Sequence, residues 1–241
     1  MDTFTFGGEN SSDYNLFVAG ERDFSSSERD VTKVKVLGRD GDCIIDNNRN
    51  ENYQRTLECY LVSKDWRNLH EAVRKVRNWL HRDSKYKELK FSYEEDFFYQ
   101  AVMTSQIKAE MIDVQIARLE VTFELKPFLY FIDSFATTTK TSEFSIFNPS
   151  STWALPYIKI TGEGKIDLHI GYNTYAFENI DGWIEVDSEM KVVYKRVNGI
   201  VQNRSDRMKT RFFPNFKEGY NNVSWTGKVT SLIVQPRWRS R

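Results

Sequence analysis

A chain of 241 residues, 40% of them hydrophobic, can build one large domain or two ordinary ones with separate cores, and two is the working expectation. Its 15% aromatic content, with only 12 Gly and 5 Pro, argues against a disordered or linker-rich chain. Lys and Arg total 34 and Asp and Glu total 34, so no long-range field draws the chain onto nucleic acid or an anionic membrane.

The N-terminus, Met1-Asp2-Thr3-Phe4, lacks a basic region followed by an apolar run, and no stretch approaches the roughly 18 apolar residues that span a bilayer. A soluble chain made in the cytoplasm is expected. Short runs rich in β-branched and aromatic residues then predict strands at Phe4 to Phe6, Tyr14 to Val18 and Val31 to Val36. Asp40, Asp42 and Asp46 follow in a loop without the mid-loop glycine and terminal glutamate of a calcium-binding EF-hand, so turn chemistry accounts for them. A strand is predicted from Tyr53 to Val62. Next, Trp66, Leu69, Val73, Val76 and Leu80 fall at three-and-four spacing opposite Arg67, Glu71, Arg74, Lys75 and Arg82, which predicts an amphipathic helix lying on a sheet. Ser63 or Asp65 is the expected N-cap, and Arg77 and Arg82 suit the C-terminal end of the helix dipole.

Further strands are predicted at Leu89 to Tyr93, Phe97 to Met103 and Leu119 to Leu125. A polar stretch through Thr137-Thr138-Thr139-Lys140 places a boundary near Asp133, giving domains of residues 1–133 and 134–241. Beyond it, strands are predicted at Tyr157 to Ile160, Lys165 to Ile170, Trp183 to Val186, Lys191 to Tyr194 and Val229 to Val234. Gly162-Glu163-Gly164, Asp181-Gly182 and Lys217-Glu218-Gly219 read as their separators, with Asp40-Gly41 and Asp181-Gly182 as chain reversals. The absence of helical period makes the second domain an antiparallel sandwich.

Little in the chain suggests catalysis. His70 and His81 are not spaced as one-turn zinc ligands, and His169 alternates with Leu168 and Ile170 as a half-buried strand histidine would. Cys43 and Cys59 lack metal-ligand neighbours and read as reduced thiols. No nucleophile elbow, Walker loop or dinucleotide fingerprint is present, and Glu94-Glu95 or Asp187 with Glu189 read as ordinary surface acids. Neither an enzyme nor a cofactor or metal is expected. Trp153, Trp183, Trp225 and Trp238 could stack on sugars, but core packing is the better explanation for each.

The order of several short motifs resembles the distal tail proteins of long-tailed phages. In the first half these are Phe4-Thr5-Phe6-Gly7-Gly8, Ser12-Asp13-Tyr14, Glu28-Arg29-Asp30, Gly38-Arg39-Asp40-Gly41-Asp42, Val76-Arg77-Asn78-Trp79-Leu80, the strand start at Tyr86 to Leu89, and Tyr99-Gln100-Ala101. In the second they are Gly162-Glu163-Gly164, Ile184 to Glu189, Val193-Tyr194, Phe213-Pro214, Gly219-x-Asn221 and Gln235-Pro236-Arg237. The resemblance covers nearly the whole chain. It implies an N-terminal β-sandwich with one helix that closes into a hexameric ring, and an outward galectin-like C-terminal sandwich without an inserted module. It also implies a lumen that passes DNA, a tail-tube protein on one face, a tail-associated fibre or lysin protein on the other, and receptor-binding proteins on the C-terminal domain. Asn148-Pro149 is followed by Ser150, a departure from the sugar-contacting pattern of galectins. Within the motif Gly38, Arg39, Asp40 and Gly41, the residues read as a turn held by its glycines, with Arg39 and Asp40 as candidates for a contact across a subunit boundary.

Overall fold

The computed structural model describes residues 1–241, the side chain of Trp66 excepted. They form two compact units, Met1–Leu129 together with Arg241, and Tyr130–Ser240. The chain is mostly β, paired antiparallel, with one amphipathic α-helix, as its patterning predicts.

The first unit contains β1 (Phe4–Phe6), β2 (Glu9–Asn10), β3 (Leu16–Ala19), β4 (Arg29–Val34), β5 (Cys43–Asn50), β6 (Tyr53–Val62), α1 (Leu69–Leu80), β7 (Lys87–Phe91), β8 (Phe97–Val102), β9 (Lys108–Asp113) and most of β10 (Ile116–Phe131). Its main sheet runs β2-β1-β7-β8-β10-β6-β3, with β9 also on β10, while β4 and β5 pair only with each other. Strict alternation along β6 and β10 sends Leu57, Cys59, Leu61, Leu119, Val121 and Phe123 to one buried face. The helix closes this face with Leu69, Val76, Trp79 and Leu80. Trp79 is its centrepiece, stacked on Tyr14 at 4.5 Å between ring centroids and on Phe4 at 5.6 Å.

The helix start differs from expectation. Asp65 caps a preceding 3-10 turn, Trp66–Asn68, by accepting from the Arg67 amide at 3.0 Å, and Ser63 donates to the Asp65 carbonyl. The α-helix proper begins at Leu69 behind Asn68, which makes no side-chain cap. Trp66, assigned by spacing to the apolar stripe, has a side chain outside the described residues. Arg82 does lie just beyond the helix end, where it donates to Glu9 and holds that carboxyl below its ordinary range.

The second unit contains the end of β10, then β11 (Thr138–Lys140), β12 (Phe144–Asn148), β13 (Tyr157–Ile170), β14 (Asn173–Asp187), β15 (Val192–Val197), β16 (Ile200–Asn203), β17 (Gly219–Gln235) and β18 (Arg239–Ser240). Its sheet runs β11-β17-β13-β14-β15-β16, with β12 on β17. Two expected separators turn out to lie inside strands: Gly162-Glu163-Gly164 is within β13 and Asp181-Gly182 within β14, so neither reverses the chain. The ladder instead shifts register beside these glycines, against β14 after Gly164 and against β17 around Gly162. The physical reason is backbone approach. A Cβ on Gly162 would stand 2.2 Å from the Lys228 carbonyl oxygen, and one on Gly227 would stand 2.3 Å from that of Lys165. Glycine here permits a bend in long strands, where sequence alone suggests a break.

Both cysteines are free. Cys59 is fully buried in the first core, and burial pushes its thiol up to about 12, whereas Cys43 on β5 is partly exposed. Native protein at about pH 8 is therefore expected to take up a maleimide at Cys43 alone, with Cys59 labelled only after unfolding; equal labelling of both in the native state, read by peptide mass, would contradict the buried placement.

Candidate assembly surface

The β4–β5 hairpin stands apart in composition and environment from the rest of its unit. No residue from Arg29 to Asn50 is buried. Its base is held by polar contacts in place of a core: Arg29 meets Asp46 at 2.8 Å, Arg49 meets Asp30 at 3.2 Å, and Asn47 donates to Asp30 and Thr32. A register shift between Arg29 and Val31, with Asn48 at φ +56°, marks a bulge at this base. Exposed ion pairs contribute about 0–1 kcal/mol each, and a lone two-stranded hairpin is marginal in water.

Yet the arm carries apolar residues. Thr32 faces Ile45 and Val34 faces Cys43 across the ladder, so Val34, Cys43 and Ile45 share one side. Ile44, Val36 and Leu37 are exposed as well, Leu37 completely. The sequence predicts the first strand of this arm through Val31 to Val36 but not its mate, because Asp46-Asn47-Asn48 sits in the middle of β5 and Asp and Asn are poor strand formers. The clue present in the residues was Ile44-Ile45 beside Cys43.

The motif Gly38, Arg39, Asp40 and Gly41 forms the tip. The Arg39 amide donates to the Val36 carbonyl at 3.2 Å, and Gly38 adopts φ +78° as the turn requires. Gly41 repeats that value, and neither glycine has anything within 4 Å of an added Cβ, so both serve backbone conformation and not close packing. Arg39 donates to Cys43 Sγ of its own arm at 2.8 Å, and Asp40 is exposed.

The other sequence candidates fall elsewhere. His70 and His81 are exposed, and His169 bonds Thr174 at 2.9 Å. Asp187 accepts two 2.9 Å bonds from Arg237 together with the Glu189 and Met190 amides, Glu189 accepts from Tyr130, and Glu94 accepts from Tyr99. These carboxylates anchor other side chains and backbone amides. Among the described residues, no group of three or more His, Cys, Asp or Glu could hold a metal ion. Two tryptophans, Trp225 and Trp238, lean on the second core as expected, whereas Trp183 is partly buried beneath Lys159 and Lys195 and donates to Glu185. Trp153 does not, being 55% exposed with Lys217 over its ring. Phe147 and Tyr220, exposed on β12 and β17, pack together at 5.0 Å.

Residues 1–125 match the sequence profile of a family described as the phage tail protein N-terminal domain. Among solved structures, the chain is similar to the Dit protein (gp 19.1) of phage SPP1, described as a paradigm of the hub adsorption apparatus in phages infecting Gram-positive hosts. The identity is 17%, 97% of each chain is covered and the TM-score is 0.71. It is also similar to a chain of the phage P2 baseplate in its activated conformation with Ca, at 7% identity over 100% of this chain and 98% of that one, with a TM-score of 0.52. The same baseplate with Sr gives 7% identity, 97% coverage of both chains and a TM-score of 0.51. No curated protein sequence matches the chain.

Proposed function

The chain belongs to the phage tail protein N-terminal domain family, and from that premise we propose that it is a structural hub of the tail tip, not an enzyme. Residues 1–133 close into a hexameric ring, and residues 134–241 form an outward galectin-like domain. The ring joins the tail tube to the tail-associated fibre or lysin protein, carries the receptor-binding apparatus and lets DNA pass through its lumen. The protein thus resides in the virion tail after assembly in the host cytoplasm.

The observation that carries this reading is the arm. A hairpin with apolar side chains and no buried residue is unsuited to an isolated monomer, and a projecting element that seats on the next copy makes a head-to-tail contact that closes by rotation. Fold likeness to hub and baseplate chains over 97% or more of this chain supports the same assignment. Absolute mass across a concentration series, with negative-stain images, tests it. Closed rings with a central hole are expected, whereas a strict monomer at every concentration would overturn the ring.

Arg39→Glu probes the arm tip. If Arg39 and Asp40 contact the neighbouring copy, the charge reversal weakens ring formation by roughly tenfold in concentration; an unchanged oligomer rejects that role. One observation favours a second reading, attachment to host glycans, namely the exposed Trp153 and the Phe147–Tyr220 pair of the second unit. A glycan array probed with the intact protein and with Trp153→Ala separates the two, since a hub without sugar affinity gives no signal from either.

A further inference from the structure

We infer that the irregular segment between β3 and β4 is a strap poised to close on Arg55, with Asp23 as the counter-charge, and that this closure fixes the root of the arm. The strap belongs to the first unit by itself, and its closure does not require the ring. Arg55 lies on the core-facing side of β6, in line with Leu57, Cys59 and Leu61, and is 3% exposed. An arginine in that row is out of pattern. Its guanidinium carbon is 4.7 Å from the Tyr99 ring centroid and 5.5 Å from that of Phe91, and its electrostatic neighbours are the tyrosines Tyr99, Tyr53 and Tyr93. Arg55 Nε is buried without a hydrogen-bond partner, and among the described residues no carboxylate forms an ion pair with it.

Aromatic faces offset part of the cost of burying a cation, but a buried charge is stable chiefly when an opposite charge and hydrogen bonds satisfy it. A carboxylate is what the site lacks. Of the nearby acids, Glu94 accepts from the Tyr99 hydroxyl at 2.9 Å and Asp2 is paired with Arg22 at 3.1 Å. Asp23 uses its carboxylate on the amide and hydroxyl of Ser25, two residues along its own segment, a local turn that rearranges without disturbing the core. Those bonds, and then the positive charge of Arg55, hold its carboxyl below the ordinary range, so the two charges already feel one another short of contact.

The strap can move at its middle. It leaves β3 through Gly20 at φ +85°, and no residue from Glu21 to Glu28 belongs to a helix or strand. Both ends are tethered: Arg22 lies over the Tyr93 ring at 4.5 Å, and Ser27 Oγ donates to the Pro127 carbonyl at 3.2 Å. Between these points Phe24, Ser25 and Ser26 are exposed. The far end of the strap is also the entry to the arm, where the Glu28 carbonyl accepts from the Glu51 amide at 2.9 Å, and the arm returns directly into β6, which carries Arg55. One root of the arm thus bears the acid and the other the base, so pairing them ties both roots to the aromatic box.

Hydrogen exchange of the full chain, read by mass spectrometry, tests the latch. Asp23→Asn keeps an oxygen for the Ser25 amide but removes the charge. It is expected to raise the exchange rate of the strap and β4 amides, in peptides covering residues 21–34, about tenfold over the unsubstituted chain, while peptides from β10 stay unchanged. Arg55→Met should have the same effect, and adding Asp23→Asn to it should have no further one. Unchanged exchange in Asp23→Asn would show that the residue only shapes a turn, and would overturn the latch whether or not Arg55→Met folds. A rise that persists when Asp23→Asn is added to Arg55→Met would overturn it as well, since Asp23 would then act on another partner.

Discussion

Replacing Gly227 with alanine is expected to destabilise the second unit by about 2–6 kcal/mol. The added Cβ would stand 2.3 Å from the Lys165 carbonyl oxygen, a backbone atom that no rotamer change can move aside. Overpacking of this kind costs about 1–3 kcal/mol, and holding a non-glycine residue at φ +98° adds about 1–3 kcal/mol. Gly38→Ala is the internal comparison. It also sits at positive φ, but nothing lies within 4 Å of its added Cβ, so only the conformational cost of about 1 kcal/mol remains. Urea unfolding followed by circular dichroism reads both. Equal midpoints for the two variants would show that the bend between β13 and β17 does not depend on close backbone approach.

Trp79→Ala should be comparably severe in the first unit. Trp79 is 3% exposed and is the contact through which α1 grips the sheet, with Tyr14 on one side and Phe4 on the other. Truncating a buried tryptophan costs about 3–5 kcal/mol, to which the lost aromatic stacking belongs. Trp79→Phe keeps one flat ring between the same neighbours and should retain most of that stability. A Trp79→Ala variant with unchanged unfolding midpoint would show that the helix is held by Leu69, Val76 and Leu80 alone.

How much of this was legible beforehand depends on the range of the interaction concerned. The strand from Tyr53 to Val62 is read to the residue, because alternation with a buried face and flanking polar residues is a local signal. The helix is read from its spacing, yet its start is displaced by one turn: Asp65 caps a 3-10 segment first, a choice between two hydrogen-bonding patterns that the same residues allow. The arm is half read, since Val31 to Val36 resembles a strand whereas Cys43–Asn50 does not until it is seen pairing. Trp153 carries no mark that separates it from Trp183 in sequence, and only the fold leaves one 55% exposed and the other partly buried.

The sequence by itself determined the mostly β class, the single helix and its buried stripe, since these follow from periodicity and propensity over neighbouring residues. Through the order of its motifs it also pointed to the phage tail family. Tertiary structure decided the rest. Gly162 and Gly182 read as breaks between strands but lie within them: at Gly162 the Lys228 backbone, distant in sequence, approaches too closely for a side chain, and Gly182 supplies a φ of +88° inside β14. The same holds for the assembly surface. Whether Leu37, Ile44 and Ile45 are core or contact depends on what the remainder of the chain leaves uncovered, and that is a property of the folded surface, not of any local run of residues.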